Sequence, residues 1–98
     1  MNAGMGVSGC GPAFIAMVIE ALGDAGVRYG LPRETAYRIA SQTVAGTGLM
    51  QLKTGQHPAA MKDAVCSPGG TTIRGVEALE ACGLRHALLE AVGATLRP

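Results

Sequence analysis

Between Pro12 and Gly23 the chain carries one charged side chain, Glu20. Phe14, Ile15, Met17, Val18, Ile19 and Leu22 fall on nearly every side of a 3.6-residue period, so the segment reads as a helix that is apolar all round. Such a helix has no face to give to water. Pro12 suits a first helical position and Gly30 a stop, which predicts a helix from about Pro12 to Tyr29. The chain has 98 residues, enough for one small domain, and a subunit of that size can hardly wrap such a helix completely. The segment therefore argues for an obligate oligomer, against the competing picture of a central helix in a single bundle.

The remainder is helical as well. Pro32 and Glu34 open a second helix whose stripe runs through Ala36, Ile39, Ala40, Thr43 and Val44 and ends at Gly55. Gly46 and Gly48 interrupt it, which implies either close helix crossings or a kink. Pro58 begins a short third helix to about Val65. A fourth, about Thr71 to Cys82, shows Ile73, Val76 and Leu79 at helical spacing, with Gly83 as its stop. A fifth follows from Leu84 or Arg85 with Leu88, Leu89 and Val92. No strand pattern is present. The expected fold is all-α, a small bundle of about five helices intertwined with a second subunit. Residues 1–7 read as a Gly-rich linker or remnant segment and residues 8–98 as the domain.

Composition narrows the function. Apolar residues make up 48% of the chain and charged ones 15%, with a net charge of +1. The Lys and Arg are scattered, so the basic footprint that nucleic acid requires is missing. Cys10, Cys66 and Cys82 are odd in number and lack C-x-x-C spacing, which reads as reduced thiols of a cytoplasmic protein. His57 and His86 stand apart from any ligand at metal spacing, so no metal site is expected. No 18-residue run is wholly apolar and no signal peptide is evident, so no membrane span is expected. Gly4-Met5-Gly6-Val7-Ser8-Gly9 matches G-x-G-x-x-G formally. It lacks the preceding strand and following βαβ unit that a dinucleotide site needs, so no cofactor-binding residue is assigned.

One stretch looks built to hold a ligand: Val65-Cys66-Ser67-Pro68-Gly69-Gly70-Thr71-Thr72. Pro68 cannot continue a helix and turns Ser67 away from the helical region. Gly69 and Gly70 allow close approach of backbone and positive φ. Ser67, Thr71 and Thr72 add hydroxyls where a helix begins, a combination suited to an anion. The plainer reading is a Gly-Pro turn in which Thr71 or Thr72 caps the helix. Cys66 has no partner base in the pattern and reads as a small apolar filler.

This loop and its flanks, from His57-Pro58-Ala59-Ala60-Met61-Lys62-Asp63 through Ile73 and on over Gly75-Val76-Glu77-Ala78-Leu79-Glu80, resemble the signature of the pyrroline-5-carboxylate reductase family. Ser8-Gly9-Cys10-Gly11-Pro12-Ala13 resembles the start of that family's C-terminal domain, and Gly30-Leu31-Pro32-Arg33 its helix junction. Met61 departs slightly, since the family more often has a branched aliphatic there. The larger departure is the family's N-terminal Rossmann domain, which this chain does not contain. The resemblance thus implies the C-terminal helical dimerisation domain, with helices of two subunits interlocking and dimers able to assemble into decamers.

The family reaction reduces the C=N bond of 1-pyrroline-5-carboxylate to L-proline, with NADP or NAD supplying hydride to the imine carbon. The resemblance places the substrate carboxylate against Ser67, Gly69, Gly70 and Thr71. It matches Thr72 to the threonine that contacts the ring nitrogen, making Thr72 the catalytic candidate. A neutral hydroxyl is a poor acid, so its expected role is orientation with proton relay through water. Thr71 stands where some relatives have alanine. The rival readings are a purely structural homodimerisation module and a phosphate binder, the latter disfavoured because no G-K-[ST] follows the glycines. The isolated chain is expected to be inactive as a reductase.

Overall fold

The turn between Arg28 and Arg33 frames the molecule. Gly30 takes φ +106°, and two backbone bonds close the helix end around it: Gly30 N–H to Val27 C=O at 3.1 Å and Leu31 N–H to Gly26 C=O at 2.9 Å. This is the Schellman pattern, which satisfies carbonyls that a helix end leaves open. Leu31 folds back over Gly26, where even a Cβ would stand only 3.2 Å from its Cδ1. Pro32 then starts the next helix antiparallel to the first.

In the computed structural model, which describes residues 2–97, six helices follow one another: α1 (Ala3–Ser8), α2 (Gly11–Arg28), α3 (Arg33–Thr54), α4 (Pro58–Val65), α5 (Thr71–Ala81) and α6 (Leu84–Leu96). No strand occurs among the described residues. The five helices expected from the pattern are α2 to α6. Gly55 and Gly83, at φ +65° and +80°, stand where chain stops were expected.

The first residues differ from expectation. Residues 3–8, read as part of a structureless segment, form α1. Asn2 caps it by accepting the Met5 N–H on its side-chain oxygen at 2.9 Å. Gly6 is buried against α6, where an added Cβ would lie 3.1 Å from Thr95 Oγ1. Close packing at Gly6 offsets its poor helix propensity. The Gly4-to-Gly9 stretch is therefore helix and its terminal turn. Gly9 and Cys10 also keep right-handed helical backbone, so α1 and α2 run on as one stretch. Ala3–Arg28 has a mean hydropathy of 1.6 over its most apolar window and is long and apolar enough, by length and composition, to cross a membrane.

Core burial within one protomer is slight. α2 packs on α3, and α1 and α5 on α6, while α4 finds no comparable partner. Ala36 and Ala40 are the buried apolar side chains, together with the glycine backbone at Gly6 and Gly23. The surface is 7250 Å², against about 5,200 Å² for a compact monomer of this mass. The radius of gyration is 14.9 Å, against about 13 Å for such a monomer. Met17 is 67% exposed on the helix that the sequence marks as apolar all round, and Ile15 and Leu22 are exposed with it. α3 runs unbroken through Gly46 and Gly48, and nothing approaches either within 4 Å. No helix crossing inside the protomer meets either glycine.

Candidate functional site

α4 stops because Pro68 lies three residues beyond Val65. Cys66 turns extended and its N–H bonds the Asp63 carbonyl at 3.1 Å. Ser67 to Gly70 form a β-turn closed by Gly70 N–H to Ser67 C=O at 3.0 Å. Pro68 fills its second position and Gly69, at φ +66°, its third, the arrangement of a type II turn. Gly70 is extended and is the N-cap of α5, with no side chain to cap the helix.

Thr71 and Thr72 are thus the first two residues of α5 and do not cap it, which removes the plainer reading of these hydroxyls. Among the described residues, nothing within the protomer hydrogen-bonds the hydroxyls of Ser67, Thr71 or Thr72. All three residues are exposed. The backbone N–H groups of the first helical turn have no intrahelical partner by construction. The loop therefore offers unspent donors, concentrated where the helix dipole favours negative charge. A Cβ at Gly70 would collide with Ser67 Oγ, which would have to rotate away.

The five residues singled out in the sequence, Ser67, Gly69, Gly70, Thr71 and Thr72, form one continuous surface. A sixth residue, Arg74, escaped the sequence reading. Its Nη1 donates to the Gly69 carbonyl at 3.2 Å. The one available signal was a cation close to a helix N-terminus, where the dipole disfavours it.

A separate groove lies elsewhere. About 900 Å³ of open space lies between the second half of α3 and α4, floored by Gly46, Gly48, Met50, Met61 and Val65. It includes none of the residues from Ser67 to Thr72. Its open, apolar shape suits a packed helix better than a small polar molecule. No group of three or more potential metal ligands occurs among the described residues.

Comparisons with known proteins agree with this picture. The family model described as pyrroline-5-carboxylate reductase dimerisation matches residues 1–97. The pyrroline-5-carboxylate reductase of Treponema pallidum is 58% identical over 92% of this chain and 34% of its own length. That of Synechocystis is 56% identical over 99% of this chain and 36% of its own. Among solved structures, the Streptococcus pyogenes reductase superposes with a TM-score of 0.92 at 40% identity, over 95% of this chain and 36% of that one. The Plasmodium falciparum pyrroline carboxylate reductase with NADP bound gives 0.89 at 39% identity, over 94% and 37%. The chain spans about a third of the length of the curated relatives it matches.

Proposed function

The chain belongs to the pyrroline-5-carboxylate reductase dimerisation family, and from that premise we propose that it is the C-terminal domain of a reductase converting 1-pyrroline-5-carboxylate to L-proline. In this reading it contributes the substrate end of the site, at Ser67 to Thr72, and the dimer interface. The observation that carries the site is the set of hydroxyls and helix-start N–H groups left without internal partners beside a glycine pair. The N–H groups of the first turn of α5 and the Ser67 and Thr71 hydroxyls bind the carboxylate, and Gly69 and Gly70 let it reach the backbone. Thr72 directs its hydroxyl at the ring nitrogen, where it orients the ring and relays a proton through water.

The residues described here do not fit a dinucleotide. They contain no strand, and the glycine-rich stretch at residues 4–9 is helix and turn packed on α6. NADP or NAD therefore belongs, in this proposal, to a part of the parent protein outside this chain, and the catalytic steps assigned here stop at binding and orientation. Three thiols at no pairing spacing suit a cytoplasmic location.

The excess of about 2,000 Å² of surface per protomer over a compact monomer supports homodimerisation, since obligate interfaces bury roughly 2,000–5,000 Å² in total. The exposed apolar sides of α2 and the groove between α3 and α4 are the surfaces a second copy covers. A protein partner accounts for the apolar Ala3–Arg28 stretch without a membrane. The same observation favours the second reading, a homodimerisation module with no ligand in use. The two separate in one assay. The full-length protein should oxidise NAD(P)H in the presence of 1-pyrroline-5-carboxylate, while the 98-residue chain alone should show neither turnover nor saturable NADPH binding. A full-length protein without turnover leaves the structural module standing.

A further inference from the structure

We propose that Arg74 is a positioning residue for the substrate loop, pinning the Gly69–Gly70 peptide so that the turn before α5 keeps one shape and holds the helix-start donors in place for a bound carboxylate. This rests on the reading of that loop given above. A trans peptide points its C=O and N–H in opposite directions within one plane. On one side the Gly70 N–H donates to Ser67 C=O at 3.0 Å. On the other the Gly69 C=O accepts from Arg74 Nη1 at 3.2 Å. The plane is pinned at both ends.

That pinning matters because the peptide joins two glycines. Neither has a Cβ to resist rotation, so this plane is the easiest in the loop to turn over. Turned over, it breaks both bonds and exchanges the directions of its N–H and C=O. The Gly69 carbonyl would then face the Ser67 carbonyl, the turn would open, and the start of α5 would lose its fixed approach to a bound carboxylate. Arg74 bonds the oxygen only in the unflipped orientation. Its charge, unfavourable near a helix N-terminus by itself, is offset by that carbonyl. The side chain is exposed, so its loss opens no cavity and loosens the loop without unfolding the domain.

The test is steady-state kinetics on the full-length protein with 1-pyrroline-5-carboxylate, comparing Arg74→Met, Arg74→Lys and Thr72→Ala. Arg74→Met should raise KM about five-fold, the worth of one such hydrogen bond, with kcat within about two-fold and Tm unmoved. Arg74→Lys, which keeps a donor of similar reach, should recover most of the loss. The defect should persist at about 0.5 M salt, where a through-space charge effect is screened. A wild-type KM in Arg74→Met beside an impaired Thr72→Ala overturns the role of Arg74 and leaves the loop assignment intact. A defect that vanishes at high salt overturns the anchoring. Wild-type kinetics in both variants overturn the loop assignment and this inference together.

Discussion

The Tyr37 ring lies against Gly23, so close that a Cβ at position 23 would overlap its Cδ1–Cε1 edge. The ring cannot step aside cheaply. Tyr37 Oη donates to Asp24 Oδ1 at 2.8 Å, and Arg33 Nη1 donates to both, at 2.8 Å to Tyr37 Oη and 2.9 Å to Asp24 Oδ1. Gly23→Ala gains up to about 1 kcal/mol of helix propensity but overpacks the α2–α3 contact at a cost of about 1–3 kcal/mol. The expected net result is a lower midpoint in urea unfolding, and a midpoint at or above wild type would show that the ring yields.

The same three residues set a pH dependence. Asp24 is held below the ordinary carboxylate range, first by the Tyr37 hydroxyl and then by the Arg33 guanidinium. A carboxyl with a lowered folded-state pKa contributes stability above its unfolded value of about 3.9, and loses it as pH falls through the folded value. Wild-type stability should therefore fall below about pH 4 more steeply than that of Asp24→Asn, with little difference between their slopes at neutral pH. Both groups are exposed, so the effect is small and read best as a difference in urea midpoints between pH 6 and pH 3. Parallel curves would remove this triad from the acid response.

Ile15 reports on the partner surface. It is 42% exposed in the protomer, and an exposed substitution ordinarily changes stability by less than about 0.5 kcal/mol. If a second copy covers it, Ile15→Asp buries an unpaired charge. Sedimentation of the wild type at micromolar concentration should give twice the 9.9 kDa mass or a multiple. Ile15→Asp should dissociate or unfold the assembly. A folded wild-type monomer would defeat the homo-oligomer, and an unaffected variant would place its interface away from Ile15.

Proline and glycine punctuation made most of this fold legible. Pro12, Pro32 and Pro58 stand at helix starts, and Gly30, Gly55 and Gly83 stand at stops with positive φ. α1 was hidden because Gly4 and Gly6 argue against a helix by propensity, and only contact with Thr95 and Val92 supplies the reason for Gly6. Asn2 was the one local cue. Gly46 and Gly48 suggest crossings or a kink, yet α3 is continuous through them and the glycine face is open within the protomer. The loop's composition was readable, but the place of Thr71 and Thr72 inside α5 depends on where the turn ends. The Arg74 bond spans five residues through a turn, a relationship no helical period contains.

The sharpest test concerns Thr72. It is the second residue of α5, and Gly70 rather than a threonine is the cap, so Thr72→Ala forfeits no capping bond. Alanine is also the better helix former, which leaves Tm unchanged or slightly raised. If the hydroxyl meets the ring nitrogen, its loss removes a bond of about 1.5–3 kcal/mol to a group that gains charge. The kcat/KM of the full-length protein should then fall roughly 10- to 100-fold. Thr72→Ser restores the hydroxyl and should keep much of the activity. Gly70→Val acts differently: its side chain collides with Ser67 Oγ and covers the backbone, so substrate binding should be lost. The deciding comparison is Thr72→Ala against Thr72→Ser at matched Tm. Equal kcat/KM in those two variants and the wild type would mean that the hydroxyl faces solvent throughout the reaction, and the loop would then serve only to join α4 to α5.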